Sequence, residues 1–371
     1  MEFDLSKPQK LLRETARATL SRHFPLSRVR EWMASGATNE GSLWSTIADQ
    51  GWVGLHLDNS VGGLGLGLVE LTVVAEEMGR ACMPGPYLAT TWAATLLAQI
   101  DSPKSTELLP SITAGEHKAT VALMDQDGDW DLKNIAMQLT PSEPGWKLTG
   151  RKTLVLDADS AHTLLCVVRQ SSKLAIVFVP RKATGVSCEK KRSLDATRSL
   201  YDVAFNEVTI AESDVLAVGE QAHSAIEQSI RVATLAACAE MLGAMQWIHE
   251  TTLEYAQTRK QFDRSIGSYQ AVQHQCADIH LMTESARAAT YYAAWALTSN
   301  APDACKAIAI AKAYCSEVGR EVGHRGVQVH GGIGFTWEHD MHLFLKRIKL
   351  CEFLFGDATW QREQIARLIL N

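Results

Sequence analysis

The chain has no excess of positive charge. Its 36 Lys and Arg stand against 42 Asp and Glu, and a net charge of −6 leaves no electrostatic footprint for nucleic acid. It has no Cys-x-x-C pair either. Its eight cysteines, Cys82, Cys166, Cys188, Cys238, Cys276, Cys305, Cys315 and Cys351, are scattered, which speaks against a zinc knuckle and against a disulfide framework. Several lie among Ala and Leu, where a free thiol packs as a small apolar group, and this points to a reducing, cytoplasmic setting. No run approaches the roughly 18 uninterrupted apolar residues of a membrane-spanning helix. Met1-Glu2-Phe3-Asp4 lacks the charged-then-apolar pattern of a secretory leader. No repeat or low-complexity segment interrupts the chain. What is present is an ordinary globular balance, 46% hydrophobic and 21% charged. At roughly 100–200 residues per domain, the length accommodates two or three domains.

Three textures follow one another. Residues 1–115 read as helical. Ser6-Lys7-Pro8 has the form of a cap with Pro just inside the first turn, and Leu12, Ala16, Leu20 and Phe24 then line one helix face. The glycine-rich run Val61–Gly67 precedes a helix over 68–78, Pro84-Gly85-Pro86 breaks the chain, and Thr90 to Ile100 resumes a helix. Residues 116–217 hold short Val- and Leu-rich runs at 120–123, 154–156, 164–168, 175–179 and 201–205, the spacing of a small β-barrel or sandwich. The dense basic run Lys190-Lys191-Arg192, with Arg181-Lys182 before it, reads as a solvated face or an anion contact. Residues 218–371 return to long helices over 222–258, 270–297 and 304–323, with two more toward the end. Short connections there suggest an antiparallel four-helix bundle. The expected fold is therefore α+β and multidomain.

Two C-terminal segments carry the chemistry. Arg259-Lys260-Gln261-Phe262-Asp263 leads through Ile266 to Gln270 and His274. A guanidinium offers a planar fork of donors suited to phosphate oxygens. Gln328-Val329-His330-Gly331-Gly332-Ile333-Gly334 pairs an amide with glycines that let a ligand approach the backbone. The first segment is similar to the "R.xFG..I..FQ..QH" signature of the acyl-CoA dehydrogenases, and the second resembles their "Q..GG.G" loop. Trp52-Val53-Gly54-Leu55 with Val61-Gly62-Gly63-Leu64-Gly65, and Glu76-Glu77-Met78-Gly79-Arg80, resemble earlier stretches of the same family. Taken alone, the glycine run reads as a tight helix connector. Asp263 departs from the family, which usually has Gly there.

The resemblance implies FAD lying across a subunit interface. Arg259, Phe262, Gln270, Gln328, Gly331 and Gly332 would meet it from the neighbour's side. It also implies an acyl-CoA thioester as substrate and electron-transfer flavoprotein as acceptor. Dehydrogenation between the α and β carbons needs a carboxylate to take the α-proton. The family supplies Glu from a "YEGT" motif, yet this chain reads Leu354-Phe355-Gly356-Asp357. Phe355, or Gly356 with a one-residue slip, stands at that place. Other relatives place the base ten residues before the Gly matching Gly243, where this chain has Ala233. Two carboxylates could substitute: Glu240, whose alternative is a buried ion pair, and Asp357, whose alternative is a helix cap. The "TEP..GSD" loop is reduced to Asp125-Gln126-Asp127-Gly128-Asp129, and the run after Gly150-Arg151-Lys152 has lost its Trp. His330, His339 and His342 invite a metal reading, but the family has no metal there. The pattern resembles the base-lacking chain of heterotetrameric enzymes that oxidise bulky, steroid-type acyl-CoA thioesters. A self-sufficient homo-oligomer using Glu240 or Asp357, and a flavin-free interaction protein, are the alternatives.

Overall fold

The computed structural model describes residues 4–36, 41–125 and 127–370. Met1–Phe3 and Gln126, used above for the leader and acidic-loop readings, lie outside the described residues. The first helices are α1 (Lys7–His23), α2 (Leu26–Ala34), α3 (Gly41–Asp49), α4 (Leu68–Arg80), α5 (Tyr87–Ala98) and α6 (Pro103–Thr113). The strands follow as β1 (Ala119–Ala122), β2 (Leu139–Pro141), β3 (Trp146–Leu156), β4 (Thr163–Gln170), β5 (Lys173–Pro180), β6 (Val186–Lys191), β7 (Leu200–Ile210) and β8 (Val215–Val218). Next come α7 (Glu220–Thr258), the short β9 (Lys260–Gln261) and β10 (Arg264–Ser265), then α8 (Gln270–Thr298), α9 (Ala304–His330), α10 (Met341–Phe353) and α11 (Ala358–Leu370). None of the described helices is long and apolar enough to cross a membrane.

The chain forms two compact units. One gathers the chain up to Glu31, Leu68–Met83 and everything from Thr234; the other gathers Trp32–Gly67 and Pro84–Ala233. In the first unit, α1 starts as its sequence dictates. Ser6 accepts from the Gln9 amide, the Gln9 side chain returns the bond, and Pro8 occupies the first turn, where its missing N–H costs nothing. Ala16, Leu20 and Phe24 turn the buried face inward. Helices α4 and α7 cross backbone to backbone. A Cβ on Gly79 would stand 2.0 Å from the Glu240 carbonyl oxygen, and one on Gly243 1.8 Å from that of Glu76. Charged side chains flank this crossing. Arg17 grips Glu77 through two nitrogens at 2.9 and 2.7 Å, while Arg287 and Tyr291 of α8 both bond Glu76. Helices α8 and α9 pack through small residues, Ala293, Ala294, Ala296, Ala307 and Ala311 around Leu235 and Ile308. Helix α9 runs past its expected end near 323 to His330. Gly319, Gly323 and Gly326 do not break it, because each faces a neighbouring side chain: Ile348, Leu345 and Ile248 respectively. They are close-packing residues, not terminators.

In the second unit, two four-stranded sheets, ordered β1-β4-β5-β8 and β2-β3-β7-β6, face each other across one apolar core. The arrangement is a sandwich, not a closed barrel. The five runs expected as strands all lie in it. β6 escaped notice because its two apolar residues, Val186 and Cys188, are only half-buried and the rest of the strand is polar or charged. Two residues of the basic run lie there: Lys191 pairs with Asp202 at 3.0 Å and Lys190 donates to the Gly36 carbonyl at 2.7 Å. β2 and β8 are only three and four residues long, too short for a pattern.

Candidate functional site

Helix α7 stops at Thr258, and the chain folds at once into the hairpin β9–β10. Phe262 and Asp263 form its two-residue tip, with φ of 53° and 64°. Turns with both central residues left-handed match the twist of the strands they join. Glycine takes such a φ freely, and Asp is among the few other residues that tolerate it. That accounts for Asp263 replacing the usual Gly without loss of the turn. Phe262 is 88% exposed, and Arg259 and Gln270 are exposed beside it. Tyr269 braces the hairpin: its hydroxyl donates to the Gln261 carbonyl at 3.1 Å, and Arg264 lies 4.0 Å from its ring centre.

Gln328 belongs to the last turn of α9, and the turn proper starts at Gly331, with φ 65° and ψ −141°. A Cβ built on Gly331 or Gly332 would meet nothing within 4 Å. No packing within the chain therefore demands glycine at either place; what glycine leaves there is bare backbone facing outward. Ile333 and Phe335 beside them are 43% and 77% exposed. Between the hairpin and the turn, Tyr255 of α7 is stacked on His330 of α9 at 4.4 Å. A guanidinium, a primary amide, bare glycine backbone and solvent-facing Phe and Ile form a donor set suited to a dinucleotide with a pyrophosphate and flat rings. The residues present fit FAD approached from this side.

Neither expected base position holds a carboxylate. Phe355 is fully buried, with φ 61°, and its carbonyl accepts from Gln361 Nε2 at 2.8 Å. The turn around it is fastened by Lys312, also fully buried. The Lys312 ammonium donates to the Glu352 carbonyl at 2.7 Å, the Gly356 carbonyl at 2.9 Å and Ser316 Oγ at 3.1 Å. Ala233, in the other unit, is 1% exposed. Glu240 is 1% exposed, and its Oε2 lies 3.3 Å from Nη1 of Arg347, itself fully buried, whose Nη2 donates to the Met83 carbonyl at 3.0 Å. Asp357 immediately precedes α11, and its Oδ1 accepts the Trp360 N–H at 2.9 Å. That is the geometry of an N-cap. His330 and His339 stand 4.7 Å apart, and His342 lies edge-on to Trp337 at 4.6 Å. Burial, then Lys346 and Arg30, lower the His342 pKa to about 4. Among the described residues no group of three or more His, Cys, Asp or Glu is arranged to hold a metal ion.

The chain matches the sequence profile described as acyl-CoA dehydrogenase, N-terminal domain, over residues 6–116, and that described as acyl-CoA dehydrogenase, C-terminal domain, over residues 223–370. It is 30% identical over 343 residues to acyl-CoA dehydrogenase IpdE2 of Mycobacterium tuberculosis, an alignment covering 91% of this chain and 90% of that one. The chain belongs to the acyl-CoA dehydrogenase family. Among solved structures it is similar to a variant of the Tcur3481–Tcur3483 steroid ACAD, with 29% identity, a TM-score of 0.88 and 98% of each chain covered. It is also similar to the ChsE4–ChsE5 complex from Mycobacterium tuberculosis, with 27% identity, a TM-score of 0.89 and coverage of 100% and 99%.

Against the family pattern, the sandwich is altered where the missing motifs would lie. Leu154 has φ 51° at a register shift between β3 and β7 and is 39% exposed. The strand bulges there and presents an aliphatic side chain outward. Asp125 is spent internally. It pairs with buried Lys152 at 2.5 Å and accepts the N–H groups of Ala136 and Met137. Asp129 and Asp131 accept the backbone N–H groups of Asp131 and Lys133. The glycine run after Val61 is a tight connector: a Cβ on Gly63 would stand 2.1 Å from the Leu57 carbonyl oxygen. Tyr255 carried no signal in the sequence, since its meaning depends on a partner far along the chain.

Proposed function

We propose that this chain is the non-catalytic partner in an α2β2 acyl-CoA dehydrogenase that removes hydrogen from the α and β carbons of an acyl-CoA thioester, with FAD shared across the interface. The observation that carries the reading is an asymmetry. The neighbour-side set, Arg259, Phe262, Gln270, Gln328, Gly331 and Gly332, stands exposed on one edge of the C-terminal helices. The two expected base positions hold Phe355 and Ala233, and the two spare carboxylates are engaged, Glu240 with Arg347 and Asp357 with the start of α11. FAD, when bound, supplies the acceptor for the β-hydride. This chain's part is to hold it: Arg259 on the pyrophosphate, Gln328 and the Gly331–Gly332 backbone on the ribose or pyrophosphate, Phe262 packed alongside. The sister chain supplies the base, the carbonyl-polarising donors and the "TEP..GSD" loop.

Relatives described as a complex of two differently named chains, and as a steroid ACAD, support both the pairing and a bulky, steroid-type acyl group. Electron-transfer flavoprotein is the proposed acceptor and the cytoplasm the proposed location. The division at residues 115 and 217 is the proposed domain organisation. The test is expression of this chain alone and together with a sister chain carrying an intact base. Flavin and acyl-CoA oxidation are expected only in the pair. Full FAD occupancy and turnover by this chain alone would overturn the proposal. Absence of a flavin absorption band even in the pair would identify a flavin-free interaction protein instead.

A further inference from the structure

His330 is 3% exposed. One face of its ring is stacked on Tyr255 at 4.4 Å and 22°, and His339 tilts against it at 4.7 Å and 58°. Its Nδ1 lies 2.7 Å from the Gly326 carbonyl oxygen, so the N–H is at Nδ1 in the neutral ring. Burial lowers its pKa, keeping the imidazole a neutral flat plate. Each ring stands at the root of one motif. The Tyr255 carbonyl accepts the Arg259 N–H at 2.9 Å, and the Arg259 carbonyl accepts the Ile266 N–H at 2.8 Å, closing the hairpin. On the other side, His330 precedes Gly331 directly, and a Cβ on Gly334 would stand 3.1 Å from His330 Cβ.

We propose that the Tyr255–His330 stack is the joint that fixes the spacing between the Arg259 hairpin and the Gly331–Gly332 turn, which makes both residues positioning residues for the dinucleotide edge. What the edge binds rests on the function proposed above; the joint itself does not. The two segments come from different helices, and a donor fork on one serves a pyrophosphate only if the glycine backbone on the other is held at a fixed distance. A stacked pair gives that with little freedom to lose, since both side chains have only two rotatable bonds.

Native-state hydrogen exchange on the full chain tests the joint. His330→Ala is expected to raise exchange about 2- to 10-fold in 260–266 as well as in 331–335, the factor equivalent to the usual worth of an aromatic pair. Tyr255→Ala should do the reciprocal, the double variant should be no looser than either single, and Tyr255→Phe and His330→Phe should behave as the parent. His330→Leu, which keeps volume without the flat ring, serves in case the alanine variant does not fold. If each variant loosens only its own segment, the joint does not exist. FAD titration of the complex with the sister chain separates the two ideas. Coupling by exchange without FAD binding sinks the flavin reading and leaves the joint; FAD binding without coupling sinks the joint and leaves the flavin reading.

Discussion

Replacing Glu240 by Gln should unfold this protein more than it disarms it. The carboxylate lies 3.3 Å from a guanidinium with no exposed surface, on the face of α7 that crosses α4. Removing one member of such a pair strands the other as a buried charge, which costs about 3–5 kcal/mol. At about 2–4 °C per kcal/mol for a domain of 150–250 residues, the midpoint should fall by roughly 6–20 °C. Arg347→Met should cost a similar amount, since it strands Glu240 and also leaves the Met83 carbonyl without the donor now at 3.0 Å. The double change Glu240→Leu with Arg347→Met should recover most of the loss. Its residual deficit is that carbonyl's, about 1–3 kcal/mol. Urea unfolding of the parent, Glu240→Leu, Arg347→Met and the double variant gives the cycle, with a coupling of the order of the single losses. A Glu240→Gln protein as stable as the parent, with acyl-CoA oxidation abolished in the assembled complex, would refute this and make Glu240 the base.

Other consequences are as direct. Asp357→Ala should lower stability by about 0.5–2 kcal/mol through loss of the α11 cap, with Asn restoring it; loss of oxidation in the stable Asn variant would show that Asp357 is more than a cap. Gly243→Ala should give little folded protein by circular dichroism, because its methyl group would stand 1.8 Å from the Glu76 carbonyl oxygen; a stable variant would mean that α4 and α7 do not cross as described. His342 gives a pH dependence. Its folded pKa is lowered from 6.5 to about 4, so the unfolded chain takes up the proton first. Stability should be fully present above about 6.5 and lost as pH falls toward 4, and His342→Phe should flatten that part of the stability profile.

Much of this was legible in the sequence for physical reasons. Ser6 and Pro8 satisfy the first helical turn through chain neighbours, so they mark it wherever they occur. The Val-rich runs of β4 and β5 are buried along most of their length and need no tertiary context to look like strands. The hairpin and the glycine turn are local motifs whose residues lie together in the chain. What stayed hidden is what depends on distant partners. Glu240 could be read as a base or as half of an ion pair because Arg347 stands 107 positions away. The helix expected to end at Gly323 runs on to His330, because the side chain that requires glycine there, Leu345, comes from another helix. β6 has only two apolar residues, half-buried Val186 and Cys188, before its charged end, too short an alternation to read as a strand.

Lys312 has a use outside the chemistry of the site. An amine whose three N–H bonds are committed to two carbonyl oxygens and a hydroxyl, with no surface of its own, is closed to acylating reagents as long as α9 holds the turn before α11. The chain's exposed lysines label regardless of fold. The ratio of label at Lys312 to label at exposed Lys173 is therefore an internal gauge of how often the C-terminal helices open, readable by mass spectrometry in a crude extract.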